Sequence, residues 1–221
     1  MNATAQPASG LTAELADRAR ALTFADLTPD AIAIAKQCIL DWYAVTFAGA
    51  NEPLVKKLAL EAHELGGNPQ ASVIGLPHKS SVAHAALVNG AASHALDYDD
   101  VNMAMIGHPT VAILPGLLAL AEQRRASGEQ LLTAFIAGYE TACRIGKSVT
   151  PGHYAAGFHA TATIGGFGAA AACAHLLQLD AQQTRIAFGI AATQAAGLKS
   201  MFGTMCKPLH AGNAALNGLQ A

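Results

Sequence analysis

The sequence predicts an all-α fold: a globular domain of many helices with at most one short strand-like segment. Apolar residues recur at helical spacing along most of the chain, as at Ile32, Ala35, Ile39 and Trp42. Strand-like composition is confined to residues 71–75, Ala-Ser-Val-Ile-Gly. Apolar residues make up 52% of the 221 positions and charged residues only 13%. That share of charged residues is about half the usual one, which indicates that much of the surface of this chain is buried.

Capping residues, prolines and glycines predict where each helix begins and ends. Thr28 followed by Pro29, for example, has the pattern of an N-cap and a first helical residue. Helices are expected at about residues 11–22, 29–47, 52–63, 81–94, 109–126, 129–148, 159–177 and 181–197, with a last one from 207. Residues 1–10 are expected to be disordered, and residues 11–221 to form the helical domain.

We expect this domain to be part of something larger. So few charges cannot cover the surface of an isolated monomer, which predicts contact with a second copy, a further domain, or both. The last helix still has a buried, small-residue composition at Ala221, so the helical domain is predicted to be incomplete.

Composition also argues against several classes of protein. The net charge is −2 without a basic stripe, so nucleic acid is not an expected partner. No basic segment followed by an apolar core opens the chain, which predicts a cytoplasmic protein without a signal peptide. The uncharged stretch from His159 to Leu179 is mostly Ala, Gly and Thr, which favours a closely packed buried helix over a membrane span. The cysteines are widely separated, which predicts free thiols at Cys38, Cys143, Cys173 and Cys206.

Candidate chemistry concentrates in residues 89–115, where Asp97, Asp99, Asp100, His94 and His108 fall between two apolar segments. Clustered carboxylates repel one another, and burial raises the pKa of at least one, which suits proton transfer near neutral pH. Two other interpretations stay open: a solvated acidic loop with a helix-capping aspartate, and a divalent-metal site. No EF-hand spacing follows, so no metal is assigned.

Two further positions carry candidate chemistry. His159 precedes a predicted helix, and a helix N-terminus disfavours the protonated imidazole, which suits a neutral acid or base. A capping or packing role is the alternative. Lys207 stands at the start of the last helix, with His210 one turn later. A cation there opposes the helix dipole, which suggests that it binds a substrate carboxylate, although an exposed lysine is the simpler explanation.

Several motifs together resemble the MmgE/PrpD family, which includes 2-methylcitrate dehydratase and cis-aconitate decarboxylase. They are His94-Ala-Leu-Asp-Tyr-Asp-Asp100 followed by His108-Pro109, Gly157-Phe-His-Ala-Thr-Ala162, and Lys207-Pro-Leu-His-Ala-Gly212. The resemblance extends from about Leu11 to Ala221. Family members often have Thr after the Asp-Asp pair, whereas this chain has Val101 followed by Asn102, which leaves the exact substrate open.

The resemblance implies catalytic roles for Asp97, His108, His159 and Lys207. It also implies a helical domain that is completed by a smaller α+β lid domain, and a homodimer without a cofactor. The pathway that the resemblance suggests is propionate metabolism. Asp100 and His210 are predicted to bind substrate.

The resulting hypothesis is a metal-independent lyase that acts on a small di- or tricarboxylate, such as 2-methylcitrate or cis-aconitate, by loss of water or CO2. Lys207 and His108 would hold carboxylates, and Asp97 or His159 would be the general base or acid. The alternatives are an epimerase of an amino- or imino-dicarboxylate, and a helical dimerisation module without catalysis. The 221-residue chain by itself is expected to be inactive and prone to self-association.

Overall fold

The structure, a computed structural model, describes residues 10–221 and confirms the all-α prediction. The prediction of a disordered N-terminus falls, apart from Gly10, outside the described residues. The helices are α1 Leu11–Ala21, α2 Pro29–Gly49, α3 Pro53–Leu65, α4 Val82–Ser93, α5 Pro109–Arg124, α6 Gly128–Val149, α7 Gly152–Ala155, α8 Ala160–Thr163, α9 Gly165–Leu176, α10 Ala181–Gln194 and α11 Cys206–Gln220. Short 3-10 turns occupy Phe24–Asp26 and Lys199–Met201.

Most helix starts follow from local sequence. Thr28 Oγ1 accepts a hydrogen bond from Ala31 N at 3.2 Å, and Pro29 is the first residue of α2. Ser127 and Asp180 each form a reciprocal capping box, at the starts of α6 and α10. These caps satisfy backbone N–H groups that have no partner inside the helix.

Two details differ from the sequence prediction. The strand-like segment forms β1, Ala71–Ser72, but a second strand, β2 Lys79–Ser80, pairs with it in antiparallel fashion. The strand count of at most one is therefore too low, because β2 lacks the apolar alternation by which a strand is recognised. The small-residue helix expected at 159–177 is interrupted at Ile164, which separates α8 from α9.

Helix α5 lies at the centre of the domain. Residues 109–117 are all buried, and the helix contacts α4, α6, α9 and α11. Ile113, Leu114 and Leu117 share one apolar cluster with the fully buried Trp42 of α2 and with Phe135 of α6. A helix that is apolar all round is expected at such a position.

Glycines allow α4 and α11 to approach closely. A Cβ on Gly212 would lie 2.5 Å from the carbonyl oxygen of Leu87, and one on Gly90 would lie 2.7 Å from Gly212 Cα. Any side chain larger than hydrogen would separate these two helices. This contact determines where the first turn of α11, with Lys207, lies relative to the end of α4.

Among the described residues, only α2 is long and apolar enough to cross a membrane by length and composition. Lys36 and Asp41 stand near its middle and are exposed. Trp42 is fully buried in the main apolar cluster, and α2 contacts α4, α5 and α6. A core helix of a globular domain meets the same criteria, so α2 is weak evidence for a membrane span.

We expect Gly212→Ala to destabilise the protein by about 1–3 kcal/mol, as overpacking of a tight contact does. The atom that the new methyl group would meet is a backbone oxygen of α4, which cannot rotate away. Thermal unfolding measures the effect. Gly189→Ala in α10 is the matched control, since its Cβ would meet nothing within 4 Å and alanine is the better helix former. Equal melting temperatures for the two variants would contradict the close contact.

Candidate active site

The candidate site lies where the ends of several helices meet. His94 follows the last residue of α4, His108 precedes α5, His159 precedes α8, and Lys207 is in the first turn of α11. The segment 95–108, which joins α4 to α5, carries the acidic residues. Asn102 and Gly107 close its far end, with Asn102 N donating to Gly107 O at 2.9 Å.

Asp99 is at the centre of the site, with a side chain that is 1% exposed. His94 Nδ1 lies 3.0 Å from each of its two carboxylate oxygens. His108 Nδ1 lies 2.9 Å from Asp99 Oδ2, although its ring N–H is not aligned along that contact. Burial alone would raise the pKa of Asp99, but the contacts with His108 and His94 outweigh it and hold the pKa well below its usual range. Asp99 is therefore an ionised carboxylate between two imidazoles.

The same contacts affect His108. Burial acts to lower the pKa of His108, but Asp99 and then Asp97 more than offset this, and the pKa is raised above its usual 6.5. Lys207 opposes the increase only in part. His108 therefore holds a proton more readily than a free imidazole does.

Asp97 and Lys207 form an ion pair at the outer side of the site. Lys207 Nζ donates to Asp97 Oδ1, and His108 Nε2 lies 3.7 Å from the same oxygen. The Asp97 side chain is 53% exposed, whereas that of Lys207 is only 14% exposed. Lys207 Nζ also lies 4.9 Å from the centroid of the Phe202 ring. Asp97 has a φ of +58°, a left-handed conformation that aspartate tolerates better than most residues.

His159 faces a second histidine. His159 Nδ1 and His210 Nδ1 are 3.1 Å apart, so one ring must donate a proton and the other must accept it. Burial, and then the proximity of His94 and His210, lowers the pKa of His159 to about 3. His159 is thus a neutral imidazole at physiological pH. The His159 ring also stacks on His94, with centroids 5.7 Å apart and planes inclined by 19°.

A pocket of about 310 Å³ opens beside these residues, and His94, Asp97 and Lys207 are part of its wall. The remaining wall comes from the start of α3, from residues 203–205, and from Ala95 and Pro208. Its volume suits a small ligand. A larger depression along α1, of about 860 Å³, contains none of the clustered residues, so we assign no site to it.

Comparison with known proteins agrees with the sequence motifs. The model of the MmgE/PrpD N-terminal domain matches residues 13–221. The chain belongs to the MmgE/PrpD family. It is 35% identical to a cis-aconitate decarboxylase of Aspergillus terreus over 218 residues, which covers 96% of this chain and 44% of that enzyme. It is 34% identical to the mouse (Mus musculus) cis-aconitate decarboxylase over 201 residues, covering 88% of this chain and 41% of that enzyme.

A cis-aconitate decarboxylase-like protein of Aspergillus oryzae is 32% identical over 222 residues, covering 96% of this chain and 46% of that protein. The chain therefore spans less than half the length of the MmgE/PrpD relatives it matches. The match covers all the residues that form the cluster, from His94 to His210.

Five of the six site residues predicted for this MmgE/PrpD chain lie together: Asp97, His108, His159, Lys207 and His210. Asp100 does not join them. Its carboxylate accepts hydrogen bonds from Thr110 Oγ1 at 2.6 Å and Thr110 N at 3.3 Å, and Tyr139 OH lies 3.4 Å away. Asp100 thus caps the start of α5, and a direct contact with substrate stays a prediction that this geometry does not support.

His94 and Asp99 are among the candidate residues of the acidic segment, but the sequence gives them no catalytic or binding role, whereas the structure places them in the middle of the cluster. The one feature of the sequence that points to these two residues is their position in the acidic segment. In an irregular segment, however, spacing does not tell which of three carboxylates faces inward.

Donor atoms of four residues lie within 4.8 Å of one another and are of kinds that bind divalent metals: His94, Asp97, Asp99 and His108. Lys207 is already paired with Asp97, and its positive charge would oppose a second cation at that position. We therefore assign no metal to the cluster, and the expected absence of a metal stays a prediction.

We expect the free energy of unfolding to decrease as the pH falls from about 6.5 toward 3, by up to about 1.4 kcal/mol per pH unit from His159 alone. The unfolded imidazole binds a proton near its ordinary pKa of 6.5, whereas the folded one resists protonation until about pH 3. The lowered pKa of His210 acts in the same direction. Melting temperatures across this range should therefore fall less steeply for His159→Gln. Parallel curves for the variant and the unchanged protein would contradict the neutral, buried state of His159.

Proposed function

We propose that the protein is a metal-independent lyase of the MmgE/PrpD family that acts on a small di- or tricarboxylate, with cis-aconitate as the leading candidate. One observation carries the proposal: a buried, neutral imidazole, His159, belongs to the same cluster as the Lys207 ammonium group and His108, whose pKa is raised. Such a set can bind carboxylates and move a proton without a cofactor.

Lys207 and His108 suit a substrate with several negative charges. Lys207 Nζ and His108 Nε2 both face Asp97 Oδ1, which is the most exposed carboxylate of the cluster. A substrate carboxylate could take the place of the Asp97 side chain between them. Because Lys207 is largely withdrawn from water, its charge there is screened less than it would be on the surface.

Decarboxylation can use the same groups. Loss of CO2 leaves an electron pair on carbon, which spreads into a neighbouring carboxylate as an enediolate. Lys207 and His108 would stabilise that charge, and His108, with its raised pKa, can supply the proton that restores a neutral carbon. The cis-aconitate decarboxylases among the relatives support this reaction as the first to test.

Elimination of water is the second candidate, and the separation of two pKa values favours it. His159 is held neutral at a pKa of about 3, while the pKa of His108 is raised. His159 could remove a proton from carbon while His108 protonates the departing hydroxyl, a division of roles that enzymes obtain by moving two pKa values apart. A hydroxylated tricarboxylate such as 2-methylcitrate would be the substrate.

We also propose that the active protein is a homodimer. Ile34, Leu40 and Phe47 on α2 are all more than half exposed, at 58%, 71% and 58%. A further part of the protein could cover them equally well, so the proposal also draws on the family resemblance. The cytoplasmic location likewise stays a prediction.

A direct test incubates the complete protein with cis-aconitate, 2-methylcitrate and citrate, and follows the products by NMR. We expect turnover of at least one, and a loss of kcat/KM of about 100-fold or more for Lys207→Met, since stabilisation of developing charge is worth that much. Lys199→Met is the matched control, because Lys199 Nζ donates to Tyr154 O outside the cluster. A chelator should leave turnover intact.

Three results would count against the proposal: no product from any polycarboxylate, equal activity of Lys207→Met and Lys199→Met, or loss of activity with the chelator. His159→Ala tests the proton-transfer role separately. If His159→Ala retained full turnover, that role would have to pass to another residue.

A further inference from the structure

We propose that Asp99 is a positioning residue, which fixes the protonated nitrogen of His94 and the orientation of both His94 and His108, so that His108 presents its Nε2 atom to the site. This inference rests on the proposed function, since it names the group that prepares His108 for substrate. Asp99 itself is not among the residues that line the pocket, and its side chain is 1% exposed.

The hydrogen-bond geometry fixes the tautomer of His94. An ionised carboxylate can only accept hydrogen bonds, and His94 Nδ1 is 3.0 Å from both oxygens of Asp99. Nδ1 must therefore carry the proton. In the neutral ring, Nε2 then carries a lone pair and no proton, and this atom is buried without a hydrogen-bond partner among the described residues.

The same carboxylate orients His108. Its Nδ1 faces Asp99 Oδ2 at 2.9 Å, so Nε2 points to the other side of the ring, where Asp97 Oδ1 lies at 3.7 Å. That is the side where the Lys207 ammonium group also sits. With His108 Nδ1 against Asp99, the Nε2 atom of His108 is turned toward the position proposed for a substrate carboxylate. The rings of His94 and His108 are in edge contact, with centroids 4.8 Å apart, so each restricts the other.

A positioning role also explains why an ionised carboxylate is buried at all. Burial of an unpaired charge costs several kcal/mol, and a hydrophobic residue of similar size would pack at lower cost. Asp99 keeps its charge because two imidazoles partner it, and those imidazoles in turn are held in place. The other charged or titratable groups close to His108 are Asp97, Lys207 and His159.

The test replaces Asp99 by asparagine in the complete protein, which keeps the shape and removes the charge. We expect kcat to fall about 100-fold, the lower end of what a positioned acid or base contributes, while KM changes less than about threefold. The alkaline limb of the pH–rate profile should move to lower pH, because His108 loses the anion that favours its protonated form. A variant that lost only stability would not shift this limb.

Glu122→Gln is the matched control. Glu122 is a partly buried carboxylate that accepts hydrogen bonds from Ser72 N and Oγ and from Lys79, outside the cluster. Its loss should lower stability and leave both kcat and the pH profile unchanged. If Asp99→Asn behaved like Glu122→Gln, Asp99 would be a structural residue only and the proposal would fall.

A second measurement needs neither turnover nor a folded Asp99 variant. Histidine-selective ¹⁵N labelling and NMR of the unsubstituted protein report which ring nitrogen carries the proton, and His94→Gln identifies the His94 signals. We expect the Nδ1–H tautomer for His94, and an Nε2–H tautomer would overturn the inference. If the protein turned over no polycarboxylate but showed the Nδ1–H tautomer, the proposed function would fail while the role of Asp99 in setting this tautomer would stand.

Discussion

The close approach of helices through glycine is the constraint on which the rest of the structure depends. Gly90 and Gly212 bring α4 and α11 almost into backbone contact, and Gly116 does the same for α5 and α11, since its Cβ would lie 2.7 Å from the oxygen of Ala215. Because α11 is fixed against both helices, Lys207 and His210 lie beside the residues that end α4 and begin α5. The packing of these helices therefore brings the ends of α4, α5 and α11 together, and the segment 95–108 that joins α4 to α5 carries the acidic residues of the site.

The two carboxylates Asp99 and Asp97 differ in burial and in the partners that they contact. Asp99, at the centre, is buried and shared by two histidines, while Asp97, at the edge, is half exposed and paired with Lys207. The inner carboxylate is costly to disturb because removing either partner leaves a buried charge. The outer one, in a left-handed conformation and open to solvent, can yield its place to a ligand at lower cost. This contrast agrees with the proposed roles, in which Asp99 holds two imidazoles in place and Asp97 yields its position to substrate.

The sequence predicted the fold well because its signals were local. Helical periodicity, capping residues and small-residue composition identified the elements, and the family motifs brought Asp97, His108, His159 and Lys207 together as a set. The prediction of individual site residues failed where contacts between residues distant in sequence determine which side chain faces the site. Asp100 and Asp99 are neighbours in sequence, yet one caps α5 through Thr110 and the other holds two imidazoles. The pairing of His159 with His210 likewise joins residues 51 positions apart, and no periodicity reports it.

The central claim is that the cluster around Lys207, His108 and His159 binds a polycarboxylate. A crystal structure of the complete protein with propane-1,2,3-tricarboxylate, a saturated and unreactive analogue, tests it most directly. We expect one ligand carboxylate between Lys207 Nζ and His108 Nε2, with the Asp97 side chain displaced toward solvent and Asp99 unmoved. A ligand bound elsewhere, with the ion pair between Lys207 and Asp97 intact, would contradict the claim.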